Sequence, residues 1–166
     1  MHSTQMANSR PLVAASLLIA SVLMLLPWPP LWLKPYWVAL VMIYWLLESS
    51  HLRHLGVVFV IGLLLDLLTG TLFGQHALSL LIMAYLLSLF RNRIQFFSPL
   101  QQTLVVFMLL FNDRVLQLWV LSLSGMLPGW EYWLQPLAGA AVWPWLFLGM
   151  DRLRSHLRAR SKNSSS

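Results

Sequence analysis

Six apolar segments, separated by short polar or Pro- and Gly-rich connections, make up most of this 166-residue chain. The residues are 58% hydrophobic and only 10% charged, and the mean hydropathy is +0.70, which a soluble domain of this size does not tolerate. The pattern predicts an all-α polytopic membrane protein with six transmembrane helices in a single domain, residues 1–160, followed by a disordered tail, 161–166. The predicted spans cover about 11–26, 36–47, 55–69, 75–90, 100–124 and 132–150.

The number of crossings depends on how the first three segments are interpreted. The first could be the core of a signal peptide, but it ends in Pro27-Trp28-Pro29-Pro30 instead of a small-residue cleavage site, so we expect it to be retained. The second and third spans are short and could form a re-entrant hairpin, which would leave four full crossings. We favour six spans because Arg53, between these two segments, suits the cytoplasm.

Lysine and arginine are distributed unequally between the two sides that six spans define. Lys34 alone falls on one side, and nine basic residues fall on the other: Arg10, Arg53, Arg91, Arg93, Arg152, Arg154, Arg158, Arg160 and Lys162. The positive-inside rule therefore predicts that both termini are cytoplasmic. Five tryptophans then lie at the outer interface, where an aromatic belt is expected: Trp28, Trp32, Trp37, Trp130 and Trp133.

The net charge of +6 does not indicate nucleic-acid binding, because the basic residues are scattered between apolar segments with one cluster at the C-terminus. In that cluster we expect four arginines to anchor the last helix at anionic lipid: Arg152, Arg154, Arg158 and Arg160. A docking patch for an acidic cytoplasmic partner is the alternative. Because the chain has no cysteine, disulfides and thiolate metal sites are excluded.

The third span carries a carboxylate between glycines spaced four residues apart. Gly62, Asp66 and Gly70 share one helix face, along which another helix could approach closely. Gly70 also suits the C-cap of this helix, and Gly74 opens the next turn. Since ionisable residues inside a span usually face protein, a cavity or a functional site, we interpret the motif as a packing and folding device.

Span five contains Asn112-Asp113-Arg114, the most polar triplet in any span. Neighbouring residues point about 100° apart on a helix, so Asp113 is a poor partner for Arg114. Asp66 and Arg114 lie at similar depths in spans that run in the same direction, and we predict a contact between them. A structural role is favoured over a proton or ion relay and over a partner-binding or ligand-binding surface.

Other candidate sites are weaker. Glu48, His51 and His54 have a spacing that could present three metal ligands, but a solvated cytoplasmic loop explains the spacing as well. His76 is interpreted as an interfacial or helix-packing residue. The sequence contains no nucleophile motif and no phosphate-binding loop. We therefore expect no metal, no cofactor and no enzymatic activity.

Four motifs, taken together, carry a resemblance to a known family. They are Pro27-Trp28-Pro29, Lys34-Pro35-Tyr36-Trp37 followed by Tyr44-Trp45, the Gly62, Asp66, Gly70 and Gly74 series, and Trp143-Pro144-Trp145-Leu146-Phe147. In order and spacing, over nearly the whole chain, they resemble the MreD family of rod shape-determining proteins from bacterial inner membranes.

The resemblance implies a non-enzymatic scaffold of the cell-elongation machinery that makes peptidoglycan. The implied partners are MreC, the actin-like MreB, and the glycosyltransferase RodA with its penicillin-binding transpeptidase. The resemblance also implies a six-helix fold similar to the substrate-binding subunits of energy-coupling-factor vitamin transporters.

With loops this short, a scaffold must bind its partners through helix surfaces, so a partner's single transmembrane helix could lie along a groove of small residues. The run Ala138-Gly139-Ala140-Ala141 offers one groove and the Gly62 face another, and Pro144 is expected to bend the last span. The candidate aromatic partner contacts are Trp28, Trp37 and Trp143.

Two other functions stay open at this point. A small-solute-binding subunit of a transporter would need an outward cavity lined by Asp66, Asp113 and Arg114. An ion or proton conductor would need a connected polar path from one face to the other, and the spans contain only one central polar patch.

Overall fold

The computed structural model describes residues 10–27, 34–48, 55–94, 96–123, 125 and 128–163, and this part of the chain is all-helical. Six α-helices, α1 to α6, follow one another: Arg10–Leu25, Trp37–Glu48, Leu55–Thr69, Gln75–Ile94, Pro99–Leu123 and Leu134–Asn163. A short 3₁₀ helix, Trp130–Trp133, leads directly into α6. The predicted all-α architecture with six helices is confirmed.

Four helices begin and end within about one residue of the predicted segments, while α4 and α6 continue further. Helix α4 ends at Ile94 instead of Phe90, and α6 ends at Asn163 instead of Met150. Residues after Met150 are rich in arginine, leucine and other good helix formers, so the helix continues as a polar extension. Residues 161–163 belong to this helix and 164–166 lie outside the described residues, so the predicted disordered tail stays a prediction.

Two helical segments are long and apolar enough to cross a membrane, Gln75–Ile94 and Leu100–Leu123. Helices α1, α2 and α3 are apolar but shorter. With 12 residues, α2 rises about 18 Å, compared with about 30 Å for the hydrocarbon core of a bilayer. Six full crossings stay a prediction from the sequence.

Helix α2 is the innermost helix of the bundle. All its residues from Val38 to Tyr44 are buried, which explains why this short helix is apolar on every side. It contacts α1, α4, α5 and α6. The indole Nε1 of Trp45 donates to Ser16 Oγ at 2.9 Å and so joins α2 to α1.

One end of the bundle, here called the hairpin end, carries the turn between α3 and α4 together with the starts of α2 and α6. At this end the Lys34 Nζ donates to the carbonyl oxygens of Met24 and Leu26, the latter at 3.0 Å. The cation thus satisfies carbonyl groups that the C-terminus of α1 leaves unpaired. Burial lowers the pKa of Lys34 from its usual value. Lys34 thus has a structural role that was not predicted from the sequence.

The opposite end, here called the basic end, is held by arginines of α4 and α6 that contact the last turn of α2. Arg91 Nε donates to the Leu47 carbonyl oxygen at 2.9 Å, and Arg154 forms an ion pair with Glu48. Arg154, predicted only as a lipid anchor, therefore joins α6 to α2. Arg152 is exposed, as a lipid anchor requires, whereas the side chains of Arg158 and Arg160 lie outside the described residues.

We expect the ion pair at the basic end to contribute modestly to stability. Because Glu48 is partly exposed, Glu48→Gln should lower the free energy of unfolding by about 0.5–1 kcal/mol, and high salt should abolish the difference. Thermal unfolding in detergent at low and high salt measures this effect, with Arg152→Gln as the exposed control. The double variant Glu48→Arg with Arg154→Glu should regain the lost stability. A loss that is equal at both salt concentrations would contradict the electrostatic explanation.

Two glycines mark close contacts between helices. A Cβ atom at Gly62 of α3 would lie 2.3 Å from the Ala77 Cα atom of α4. A Cβ atom at Gly139 of α6 would lie 2.5 Å from Leu110 Cδ1 of α5. The chain's own helices therefore occupy both faces. Contrary to the prediction, these faces are not open grooves for a partner's helix.

Candidate functional site

The Asp66 carboxylate lies at the hairpin end, three residues before the end of α3, and the residue is only 2% exposed. The chain reverses direction just after it, in a turn that includes Gly70 with φ +65° and Gly74 with φ +97°. These left-handed conformations favour glycine, which explains both glycines of the motif. The turn brings the start of α4 directly against Asp66.

Asp66 caps the N-terminus of α4. Its Oδ2 accepts a hydrogen bond from the Gly74 backbone N–H at 2.8 Å, and its Oδ1 accepts one from the His76 backbone N–H at 2.8 Å. The Thr71 hydroxyl donates to Oδ1 at 3.2 Å, and His76 Nδ1 lies 2.9 Å from the same oxygen. A helix N-terminus carries unpaired N–H groups and a partial positive charge. These groups supply the hydrogen bonds and the favourable charge that the buried Asp66 carboxylate needs.

The predicted contact between Asp66 and Arg114 is wrong. The hydrogen bonds of both Asp66 oxygens go to the α3–α4 turn and the first turn of α4, and no ion pair joins the two residues in the described part of the chain. Both residues lie towards the hairpin end, and their similar depth in a membrane stays a prediction. Tyr36 lies between the two sites, with its ring 5.9 Å from the His76 ring and its side chain in a cleft beside Arg114.

His76 is buried and packs between helices, and its contact with Asp66 was not predicted from the sequence. The sequence spacing between the two residues indicated this contact. Asp66 lies near the end of α3, His76 is the second residue of α4, and the short glycine-containing turn between the helices brings the two side chains together. The Ser79 hydroxyl, one turn further along α4, donates to the His76 carbonyl oxygen at 3.3 Å. The hydrogen bonds between Asp66 and His76 thus join α3 to α4.

A second polar cluster lies on α5 around Asp113, which is 0% exposed. Gln117 Nε2, one turn further along, donates to Asp113 Oδ2 at 2.8 Å. The other carboxylate oxygen, Oδ1, has no hydrogen-bond partner, and neither has the buried Tyr36 hydroxyl. Ser79 lies beside the same carboxyl group, although its hydroxyl bonds to the His76 carbonyl. An unpaired buried acceptor is energetically unfavourable, so the cluster is incomplete as it stands.

Arg114 contacts the 3₁₀ helix that precedes α6 instead of a carboxylate on another helix. Its guanidinium carbon lies 4.6 Å from the centre of the Tyr132 ring, a cation–π distance, and the Tyr132 hydroxyl donates to the Arg114 carbonyl oxygen at 3.1 Å. Two of the three polar side chains of the triplet, Asp113 and Arg114, line a narrow cleft between α5 and α6 that has no room for a water molecule. Its lining residues are Tyr36, Leu110, Asp113, Arg114, Gln135 and Pro136.

The remaining predicted sites separate into buried, partly buried and undescribed positions. Trp143 is 1% exposed and packs against Phe147, so its predicted role as a partner contact is wrong. Trp37 is partly buried, and Trp28 lies outside the described residues, as do His51 and His54. No group of three acidic, histidine or cysteine side chains that could hold a metal occurs among the described residues. Pro144 lies inside α6, and the predicted bend stays a prediction.

The comparisons with known proteins agree with one another. The family of the rod shape-determining protein MreD matches residues 7–153. The rod shape-determining protein MreD of Haemophilus influenzae is 35% identical over 147 residues, which cover 84% of this chain and 88% of the relative. No solved structure matches the chain.

Proposed function

The chain belongs to the MreD family of rod shape-determining proteins, and from this premise we propose that it is a non-enzymatic scaffold of the cell-elongation machinery in the bacterial inner membrane. The proposed partners are MreC, MreB, and RodA with its penicillin-binding transpeptidase. Family membership is the observation that carries the proposal. The proposed fold likeness to substrate-binding subunits of energy-coupling-factor transporters follows from the same premise.

The proposed topology places the basic end in the cytoplasm and the hairpin end at the outer face of the membrane. The arginines at the ends of α4 and α6 support this orientation, because cytoplasmic connections are enriched in basic residues. Trp130, which is exposed at the hairpin end, suits the opposite interface. In this orientation the polar extension of α6 projects into the cytoplasm, where MreB would be.

A scaffold needs an open helix surface, and α6 offers one away from its buried glycine. Ala141, Trp145 and Gly149 are all exposed and follow one another at four-residue spacing, so they form one stripe, here called the α6 stripe. Trp145 is 78% exposed, and no atom lies within 4 Å of the position that a Cβ would take at Gly149. Small residues on both sides of a tryptophan allow another helix to approach closely. We place the transmembrane helix of MreC on this stripe.

A bulky residue on the α6 stripe should prevent this contact. We expect Ala141→Phe to lower the amount of MreC that co-purifies with the tagged chain by about tenfold, because one displaced helix contact removes at least about 1.4 kcal/mol of binding. Ala15→Phe is the matched control, since Ala15 is also exposed but lies on α1. Both variants should insert into the membrane at the level of the unmodified chain.

Unchanged MreC recovery with Ala141→Phe, or an equal loss with Ala15→Phe, would contradict the α6 stripe as the binding surface. Failure of the unmodified chain to retain MreC from native membranes would contradict the scaffold function itself.

The described interior favours a scaffold over the two alternatives. The cleft beside Asp113 has no room for a water molecule between its lining side chains, whereas sites for small molecules usually span about 300–1,000 Å³. Towards the basic end, the buried residues that surround the centre of the bundle are apolar, among them Ile43, Met83 and Leu87. Within the described residues, a continuous polar path through the bundle is therefore not formed.

A further inference from the structure

The last turn of α4, at the basic end, carries two arginines that differ in their surroundings. Arg91 faces the bundle, where its Nε donates to the Leu47 carbonyl oxygen. Arg93 is exposed, and its guanidinium forms no ion pair within the described residues. The sequence between Asp66 and Asp113 contains no acidic residue, so neither α4 nor the start of α5 supplies a carboxylate nearby. Arg93 therefore presents a cation to an anion from outside the bundle.

An apolar stripe on the outer face of α4 leads to this cation. Tyr85, Leu89 and Arg93 are all exposed and follow one another at four-residue spacing, so they lie along one side of the helix. With 20 residues, α4 rises about 30 Å, the thickness of the hydrocarbon core, and Arg93 lies in its last turn. In a helix that crosses the bilayer, Arg93 is then at the level of the phosphates and the stripe beside it at the level of the acyl chains.

The turn between α4 and α5 exposes further apolar side chains beyond Arg93. Phe96 is 89% exposed, and Leu100, in the first turn of α5, is 84% exposed. The backbone beneath them is hydrogen-bonded within the turn, since the Phe96 N–H donates to the Arg93 carbonyl oxygen at 3.1 Å. The Phe97 N–H donates to the Ile94 carbonyl oxygen at 3.1 Å. The turn thus pairs its backbone groups with one another and leaves the Phe96 ring outside.

Two glutamines pair further polar groups of this turn. Gln101 Oε1 accepts a hydrogen bond from the Ser98 backbone N–H at 3.0 Å, and Gln102 Nε2 donates to the Ile94 carbonyl oxygen at 3.3 Å. Backbone groups in contact with lipid must be satisfied within the protein, because lipid cannot replace the hydrogen bonds of water. A surface that binds a dissolved acidic protein needs no such pairing. The exposed phenylalanine and the internally paired backbone therefore favour lipid as the occupant.

We propose that an anionic phospholipid binds to the α4 lipid site, which consists of Tyr85, Leu89, Arg93 and Phe96. The phosphate pairs with the Arg93 guanidinium, an acyl chain lies along the stripe, and the Phe96 ring inserts among the chains of neighbouring lipids. An anionic headgroup is favoured over a zwitterionic one, because α4 and the turn contain no carboxylate that could receive an ammonium group. The proposal depends on the family's location in a membrane and not on the scaffold function.

Because the chain contains no cysteine, a single introduced thiol can carry a fluorophore that reports on the lipid beside it. The Phe96→Cys variant is labelled with an apolar fluorophore and placed in nanodiscs with equal amounts of phosphatidylglycerol and phosphatidylethanolamine. One lipid at a time carries bromine atoms on its acyl chains, which quench the fluorophore on contact. We expect quenching that corresponds to about fivefold local enrichment of phosphatidylglycerol, the effect of one basic residue near an anionic lipid.

Second substitutions in the labelled chain identify the cation. Arg93→Gln should abolish the lipid preference, whereas Arg93→Lys, which keeps the charge, should retain most of it. Leu18→Cys, on the exposed face of α1, gives the control position for the label, where the two lipids should quench equally. A higher salt concentration should weaken the preference at the Phe96→Cys label, which tests the electrostatic contribution without a substitution of Arg93.

The variants are compared only where their melting temperatures match that of the singly substituted chain, and the salt dependence serves if Arg93→Gln does not fold. Equal quenching by the two lipids at the Phe96→Cys label would overturn the proposal, as would a preference that neither Arg93→Gln nor salt reduces. Absence of quenching by either lipid would also overturn it, because the turn would then lie in water and suit an acidic protein segment instead.

Discussion

Gly62→Ala should strongly destabilise the protein, although it adds only one methyl group. The new Cβ would lie 2.3 Å from Ala77 Cα and 2.7 Å from Ala77 N, and both are backbone atoms of α4 that cannot rotate away. Helices α3 and α4 would have to separate along their whole contact. Overpacking of this kind costs about 3 kcal/mol, more than the helix-propensity gain of about 1 kcal/mol from replacing glycine.

The chain supplies two matched controls for this prediction. Gly56 lies on the same helix with nothing within 4 Å of its Cβ position, so Gly56→Ala should be neutral or stabilising. At Gly139 the new methyl group meets the end of the flexible Leu110 side chain, and Gly139→Ala should cost about 1 kcal/mol. Thermal unfolding in detergent should therefore rank the variants Gly62, Gly139, Gly56 from most to least destabilised. If Gly62→Ala and Gly56→Ala unfold at the same temperature, the close approach of α3 and α4 is contradicted.

The helix boundaries were largely predictable because their signals are local. Leu26 and Pro27 follow the last turn of α1, and Thr69-Gly70 ends α3 as a C-cap with the positive φ angle that glycine allows. The end of α6 was not predictable from hydropathy, since the residues after Met150 are polar and still favour helix. Hydropathy indicates which part of a helix lies in an apolar environment. Helix propensity determines how far the helix continues beyond that part.

The contacts between helices were harder to predict, because spacing along a helix gives depth but not rotation about its axis. Asp66 and Arg114 were placed at similar depth, yet Asp66 faces α4 and Arg114 faces Tyr132. A carboxylate ten residues before His76, across a glycine turn, was a better indication of the true contact than axial distance. Local chain reversal brings groups together at a smaller entropic cost than contacts between distant helices.

The orientation of Trp143 could have been derived from the sequence. Gly139 and Trp143 are four residues apart and share one face of α6, so the face that glycine opens to α5 is also the face that buries the tryptophan. The exposed aromatic residue of the motif is Trp145, which points about 200° away. The aromatic motif therefore divides into a packing residue and a surface residue.

Asp66→Ala should have the largest effect of any single polar substitution in the described chain. It removes the acceptor for the backbone N–H groups of Gly74 and His76 and leaves the His76 ring with only the Thr71 hydroxyl as a partner. Each such donor costs about 1–3 kcal/mol, and breaking a buried charged contact costs about 3–5 kcal/mol in total. We expect a melting temperature lower by about 10 °C or more and little monodisperse protein in detergent.

Two further substitutions separate the capping role of Asp66 from its charge. Asp66→Asn keeps one carbonyl oxygen, which can still accept from His76, and places an amide N–H₂ group against the Gly74 N–H, so its loss should be smaller than that of alanine. His76→Ala removes the ring but leaves the backbone N–H bonded to Asp66, and it should therefore lose less than Asp66→Ala. Asp151→Ala, an exposed carboxylate on α6, should change the melting temperature little. If His76→Ala destabilised the protein as much as Asp66→Ala, the ring contact and not the helix cap would hold α3 and α4 together, because the two variants differ chiefly in whether the N-terminus of α4 keeps its carboxylate.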